Sequence, residues 1–426
     1  QKADNITGLL GKTSLEKYFK NSVSTLNKGF LLHIGIDGFK MINENYGWDY
    51  GDYILRETAS CILSCISDSQ KVYKIASDEF IILDTTSSDM TTASNLYDHI
   101  CKHINQFIEE NNFAAVFTIS AGILPLPDLS RTGYEEIIKR TDFSLTVAKQ
   151  HGRNCCYIFQ EEEYQNFLRI REITNELHSA VNHDFRGFSV CFQPIMDIRQ
   201  DRLTGAEVLI RFTSKKFAQI SPAEFIPLLE TSGLIIPTGR WFMREAITAC
   251  RKIRMQIPDF KVNINVSQVQ ITKSGVITDL ISEMNASGLP HTAIVIELTE
   301  SILLEKNEKA QNFLKELKQA GLQLALDDFG TGYSNFHYLS ELHPDIVKID
   351  RGFTSKAITD KKEYYLLNQF SNMFHYLGLI LCIEGFETED ELQKMKLLKP
   401  DYCQGFYWGQ PCLYDEFRKY FVDVKR

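Results

Sequence analysis

Six side chains in the second half of the sequence place oxygen donors at or just after the ends of short apolar runs: Glu207, Asn265, Glu297, Asp327, Asp328 and Glu384. Five carboxylates and an amide gathered in one mouth would repel one another severely unless hard cations neutralised them. Oxygen donors of this kind select Mg²⁺ or Mn²⁺, and the absence of His and Cys from the set argues against zinc. The adjacent pair Asp327-Asp328 sharpens the expectation, because one bridging and one singly bound carboxylate can hold two ions about 3.5–4 Å apart. Such a centre lowers the pKa of bound water and clamps the attacking and leaving oxygens of an in-line displacement at phosphorus. Any one of these acids alone is more often a solvated charge or a helix cap. Together they point to metal-assisted phosphoester hydrolysis.

For these groups to meet, the runs that carry them must be strands ending at one place. The runs are Ala206–Ile210, Val262–Val266, Ala293–Leu298, Leu322–Asp327, Ile346–Ile349, Leu379–Ile383 and Tyr402–Phe406, each followed by a helical pattern. Roughly 240 residues of this alternation fit a TIM-like (β/α)₈ barrel over residues 185–426, whose active site lies at the C-terminal ends of its strands. Residues 1–160 read differently. Extended runs at Phe30–Asp37, Lys71–Ile75, Phe80–Asp84, Val116–Ile123 and Cys155–Phe159 alternate with helical stretches, and two of them flank the polar turn Ala76-Ser77-Asp78-Glu79 as a hairpin would. This predicts an α+β sheet domain. Between the two, over residues 161–184, Phe167, Ile170, Ile173, Leu177 and Val181 recur at helical spacing and predict an amphipathic linker helix.

Composition agrees with two soluble α/β domains. The chain has 426 residues, 44% hydrophobic and 24% charged, and a domain usually takes roughly 100–200 residues. Lys and Arg number 46 against 55 Asp and Glu, a net charge of −9, which disfavours a DNA or RNA polymer as partner. No apolar run approaches the ~18 residues of a membrane span, and Gln1-Lys2-Ala3-Asp4 opens no signal peptide. The expected location is cytoplasmic, either as a whole protein or as the cytoplasmic portion of a longer, membrane-anchored one. The ten cysteines include Cys155-Cys156 but no CxxC pair, and are expected to be reduced, buried thiols outside any disulfide or zinc framework.

The second half resembles the EAL family of cyclic di-GMP phosphodiesterases. The signature stands as Glu207-Val208-Leu209-Ile210-Arg211, with Val208 in place of the usual Ala. Further matches follow in family order: Gln193-Pro194-Ile195, Asn263-Ile264-Asn265-Val266-Ser267, Glu297-Leu298-Thr299-Glu300, Asp327 to Ser334, Lys348-Ile349-Asp350, Glu384-Gly385-Phe386-Glu387 and Gln404-Gly405-Phe406. Phe386 replaces a commoner Val. The resemblance implies hydrolysis of cyclic di-GMP to linear pGpG on two Mg²⁺ or Mn²⁺ ions. Glu207, Asn265, Glu297 and Asp327 would hold one, and Asp327, Asp328 and Glu384 the other. Lys348 would orient or deprotonate the attacking water from an ammonium whose pKa is depressed beside the cations; a plain ion pair with Asp350 is the alternative. Gln193, Leu209, Arg211, Asp350, Glu387 and Gln404 would meet the substrate. Glu300 would anchor the loop Asp328–Ser340, which in the family shapes the metal site and a homodimer contact. A receptor that takes up cyclic di-GMP without cleaving it, and signals to a protein partner, is the rival reading.

The first half is similar to the GGDEF family of diguanylate cyclases, in degenerate form. Asp4 to Leu9, Phe39-Lys40-Met41-Ile42-Asn43, Gly51-Asp52 and Lys149 to Asn154 match, but the signature reads Ala76-Ser77-Asp78-Glu79-Phe80, with both glycines gone. Gly35 stands where the family carries its first metal-binding Asp, and Ser67 and Gln70 fill the slots of the inhibitory Arg-x-x-Asp. No cyclase activity is expected. Phe39, Lys40, Asn43, Asp52, Asp78, Lys149 and Arg153 remain as a GTP-binding set through which the domain would regulate the barrel. A relic that serves only packing or dimerisation is the alternative.

Overall fold

The computed structural model describes residues 3–22, 28–87, 89–111, 116–126, 132–273, 275–299, 308–330 and 343–422. The chain divides into two compact units, Gln1–Arg169 and Ile170–Arg426, and the boundary falls within the helix Glu161–Asn182.

The first unit is built on β1 (Leu10–Gly11), β2 (Phe30–Ile36), β3 (Gln70–Lys74), β4 (Glu79–Asp84), β5 (Ile119–Pro125) and β6 (Cys156–Ile158), in the order β1-β3-β4-β2-β5-β6. β2 is buried along its whole length, His33 included, as befits a central strand that is otherwise apolar. β3 and β4 form the expected antiparallel hairpin. Helices Trp48–Cys65 and Thr91–Glu110 cover one face through Ile54, Ala59, Ile62, Tyr97, Ile100 and Ile104. Tyr164 of the helix Glu161–Asn182 packs within this unit on Phe143. The predicted apolar stripe of that helix is only partly covered: Phe167 and Ile170 are exposed, while Ile173 and Leu177 are buried.

In the second unit β7 (Phe188–Asp197), β8 (Arg202–Ser214), β10 (Lys261–Asn265), β11 (Ile294–Thr299), β12 (Gln323–Phe329), β13 (Ile346–Ile349), β14 (Ile380–Glu384) and β15 (Tyr402–Gln404) form a closed ring. Here β9 (Ala218–Ile220) and β16 (Cys412–Leu413) add edge pairings to β8 and β7. The barrel departs from the expected (β/α)₈ pattern in one strand. β7 runs antiparallel to both β8 and β15, because β7 and β8 are joined directly by a short turn with no crossover helix. Asp197 stabilises that turn by accepting from the backbone N–H of Arg199 (2.9 Å) and Gln200 (3.0 Å).

Alternation along each strand sorts the side chains. Val262, Ile264, Ile296, Leu298, Leu324, Leu326, Val347, Ile349, Leu381 and Ile383 face the covering helices. The intervening residues face the barrel axis, where Val295, Ala325, Ile346 and Cys382 form a separate buried layer. Glu297, Asp327, Lys348 and Glu384 come two residues later on the same four strands, so the next layer up is ionic. All ten cysteines are free; only Cys191, Cys250, Cys382 and Cys403 are fully buried, so the expectation of buried thiols holds for those four and fails for the half-buried remainder. Among the described residues no helix is long and apolar enough to cross a membrane.

Candidate active site in the barrel mouth

Lys348 enters the barrel from β13 with 1% of its side chain exposed. Its ammonium lies 2.8 Å from Glu297 Oε1, 2.8 Å from Glu384 Oε1, 3.1 Å from Asp327 Oδ1 and 3.2 Å from Glu207 Oε2. Four strands thus deliver four carboxylates to one point. The alternative pairing of Lys348 with Asp350 is not formed: Asp350 instead caps the helix Arg351–Thr359, accepting from Gly352 N at 2.6 Å. Burial alone would depress Lys348, but the surrounding carboxylates overcome it and hold the ammonium well above the usual lysine range.

The amides finish the cluster. Gln404 Nε2 donates to Glu207 Oε2 at 2.7 Å and to Gln193 Oε1 at 3.0 Å, and Asn265 Nδ2 donates to Glu207 Oε1 at 2.9 Å. Burial works against ionisation of Glu207, yet Lys348 and these amide donors outweigh it and keep the carboxyl below its ordinary range. Glu297 has the opposite fate: burial and the neighbouring Glu207 push it well up, against Lys348. Burial likewise pushes Glu384 up to about 8 against Lys348, with Asp327 and Glu207 adding to the rise. Asn263, absent from the expected set, donates to Glu297 Oε1 at 2.7 Å. The signal for it was its place two residues before Asn265 on β10, hence on the same face.

Asp327 and Asp328 are neighbours, so regular strand geometry would point them to opposite faces. The β12–β13 register shifts between Leu326 and Phe329, and Asp328 takes a left-handed φ of 57°. This bulge breaks the alternation and brings the Asp328 carboxyl into the field of the cluster, where burial, Asp327 and Asp350 raise its pKa. Just past Glu384, Gly385 has φ 94°, and a Cβ there would lie 2.7 Å from Arg351 Cβ. Only glycine allows that approach.

The residues present fit divalent cations. The donors are all hard oxygens, and carboxylate oxygens of Glu207, Glu297 and Asp327 lie within 4.8 Å of one another. Glu297 Oε2 is buried and accepts no hydrogen bond among the described residues, and the buried Asp327 Oδ1 and Glu384 Oε1 are met by the Lys348 ammonium. One ammonium does not hold four carboxylates ionised, as the upward push on Glu297 and Glu384 shows, and a divalent cation would relieve their mutual repulsion.

Beside the cluster a cleft is lined by Gln193, Arg351, Glu384, Glu387, Gln404 and Phe406. Arg351, not singled out by sequence, pairs with Glu387 and lies 5.8 Å over the Phe406 ring. Leu209 and Arg211 share the Glu207 face of β8 but do not line this cleft; Arg211 Nη1 donates to the Ile210 carbonyl at 3.0 Å. Glu300 and residues 331–340 of the loop it was expected to anchor lie outside the described residues.

In the first unit, a Cβ on Gly35 would lie 2.9 Å from the Lys149 ammonium, which is 3.9 Å from Glu79 Oε1. A lysine therefore stands where the resemblance expects a metal-binding carboxylate. Asp37 is occupied as well, accepting from Thr118 Oγ1 (2.7 Å), Ser120 Oγ (2.7 Å) and Asn154 N (3.2 Å). Lys74 Nζ donates to the carbonyls of Ala76 and Ser77 in the signature turn, and Asp78 accepts from Ser77 Oγ at 2.7 Å. Among the described residues Asn43 keeps a buried Oδ1 that accepts no hydrogen bond, and Gly51 lies against its side chain, where an added Cβ would meet the Asn43 amide and the Phe39 ring. Asp52 follows Gly51 on the helix Trp48–Cys65. Phe39 belongs to the core, Lys40 pairs with Glu44 at 3.7 Å, and Arg153 is exposed with φ 63°.

Compared with known proteins, residues 174–411 match the family model described as EAL domain, and residues 1–155 match that described as Diguanylate cyclase, GGDEF domain. Bifunctional diguanylate cyclase/cyclic di-GMP phosphodiesterase MucR of Pseudomonas aeruginosa is 27% identical over 416 residues, covering 96% of this chain and 60% of that relative. Cyclic di-GMP phosphodiesterase PdeR of Escherichia coli is 27% identical over 410 residues, covering 96% of this chain and 61% of that relative. The chain thus spans about three-fifths of the length of these relatives. A solved structure described as "PaMucR Phosphodiesterase, c-di-GMP complex" is 28% identical with a TM-score of 0.53, covering 58% of this chain and 99% of that chain.

Proposed function

Because the chain belongs to the EAL domain family, with a GGDEF domain ahead of the EAL domain, we propose that its barrel hydrolyses cyclic di-GMP to linear pGpG. The observation that carries this reading is the convergence of Glu207, Glu297, Asp327 and Glu384 on one buried point at the strand ends. The names of MucR and PdeR, and the ligand of the MucR structure, support the substrate. Two Mg²⁺ or Mn²⁺ ions would be held by Glu207, Asn265, Glu297 and Asp327 on one side and by Asp327, Asp328 and Glu384 on the other. Bound there, such ions supply Lewis-acid activation of a water and charge neutralisation at the phosphate.

The chain's own groups orient the reaction. Lys348, whose ammonium meets four of the proposed metal-binding carboxylates, would orient or deprotonate the attacking water. Gln193 and Gln404 present amides to guanine edges or phosphate, and Glu387 and Asp350 complete the wall with Arg351. Leu209 and Arg211 meet the substrate nearer the rim, and Glu300 anchors the loop that follows Asp328. The protein acts in the cytoplasm, with domains 1–160 and 185–426 flanking the linker 161–184, and dimerises through the EAL domain. Glu207→Ala is expected to abolish turnover in Mn²⁺ while the fold, read by circular dichroism, is kept. Unchanged turnover would place the chemistry elsewhere, and tight binding of intact cyclic di-GMP by the unaltered chain without products would support the receptor reading.

The GGDEF domain is proposed to lack cyclase activity, on the support of Gly35, the Lys149 ammonium beside it and an Asp37 that already accepts three hydrogen bonds. Its role is regulatory, with GTP as the ligand read by Asn43 and Asp52. Conversion of GTP to cyclic di-GMP by the purified chain would overturn the first statement.

A further inference from the structure

A second cluster of metal-binding side chains lies in the first unit, apart from either nucleotide site. Helix Thr91–Glu110 carries His99 and His103 one turn apart, and helix Trp48–Cys65 ends on Cys65 beside them. Residues four apart share a helix face. Here the two imidazoles bring their Nε2 atoms to 3.2 Å, with ring planes at 88°. The Cys65 sulfur and a nitrogen from each histidine lie within 4.8 Å of one another. Two nitrogens bound at 2.0–2.1 Å to a tetrahedral zinc ion stand about 3.3 Å apart. The observed spacing is that of a chelating pair.

The protonation pattern favours ligation too. Ser64 Oγ donates its proton to the Cys61 carbonyl at 2.7 Å. Toward His103 Nδ1, 3.4 Å away, the same oxygen must therefore accept. Nδ1 then carries the ring proton, which leaves the His103 Nε2 lone pair facing His99 and Cys65, the tautomer that a metal-bound histidine needs.

We propose that Cys65, His99 and His103 form a binding site for a zinc-class transition-metal ion that ties the end of helix Trp48–Cys65 to helix Thr91–Glu110. One thiolate and two imidazoles select zinc over the hard cations of the barrel, and the fourth position is left to solvent. No linear motif announces the site, because His-x₃-His and the lone Cys65 are brought together only by packing of the two helices.

The test is a cobalt titration of the full chain in excess Mg²⁺, which occupies oxygen sites. The expected result is a thiolate-to-cobalt charge-transfer absorption that saturates at one equivalent and is displaced by Zn²⁺. Cys65→Ser should remove the band, and His99→Gln, at an exposed position, should weaken binding at least about tenfold. Loss of the Cys65 variant to misfolding would leave the His99 variant to decide. Absence of the band from the unaltered chain, a band retained by folded Cys65→Ser, or a cobalt affinity unchanged in folded His99→Gln would show a plain imidazole–imidazole hydrogen bond and overturn the site.

Discussion

Lys348 carries a heavy electrostatic load: its ammonium faces Glu207, Glu297, Asp327 and Glu384 together. Removing one partner of a buried ion pair typically costs about 3–5 kcal/mol. Lys348→Met should therefore destabilise the ion-free barrel by about that amount in urea denaturation, and millimolar Mn²⁺ should restore most of the loss. An unchanged midpoint without metal would mean that the ammonium does not hold the carboxylates together. Asn263 acts one step out, by fixing Glu297 through a 2.7 Å hydrogen bond. Groups in that position usually change metal affinity 10–100-fold, so Asn263→Ala should weaken Mn²⁺ binding by about tenfold or more, as read by calorimetry. Glu297, Asp327 and Glu384 were legible in the sequence because each stands at or next to the end of an apolar run, whereas Glu207, near the start of its run, was legible through the EAL-like signature. What the sequence could not show is depth. Nothing in the spacing of Lys348 says that its ammonium would reach four carboxylates and leave Asp350 to cap a helix.

Strand alternation explains why the barrel assembles an ionic layer over an apolar one, and the exceptions to it are where the site is made. The bulge at Asp327-Asp328 and the tight approach of Gly385 to Arg351 each depend on a backbone that ordinary strand residues avoid. Gly385→Ala should cost at least about 1 kcal/mol and displace the adjacent Glu384; a denaturation midpoint and metal affinity equal to the unaltered chain would contradict this. In the cyclase-like sheet, Lys74 at the end of β3 is pushed down to about 8 by burial, against Asp4, Asp78 and Glu79. Between pH about 8 and 10.5 the unfolded chain holds a proton that the folded unit has released, so this group's contribution to stability rises with pH across that window. The stability of the unaltered chain relative to Lys74→Met should increase from pH 8 to 10, and a flat difference would contradict the burial. Seven of the eight barrel strands, and β2 to β6 of the first unit, were readable from apolar runs bounded by polar turns. β7 was not among the runs read, and its reversal is fixed only by the short β7–β8 turn.

Two units on one chain raise the question of what the first does for the second. The proposed loss of cyclase turnover rests on Gly35, the Lys149 ammonium beside it and an Asp37 that already accepts three hydrogen bonds, and the proposed GTP role rests on Asn43 and Asp52. Calorimetry with GTP should show binding that Asn43→Ala removes, together with a changed rate of cyclic di-GMP breakdown. No heat and no rate change would reduce the domain to a packing partner. The decisive experiment concerns the barrel: cyclic di-GMP is incubated with the full chain and Mn²⁺ in ¹⁸O-labelled water, and the products are read by mass spectrometry. Linear pGpG with a single heavy oxygen on its terminal phosphate is expected. Recovery of unlabelled, intact cyclic dinucleotide from protein that has bound Mn²⁺ would show that the gathered carboxylates do not perform hydrolysis.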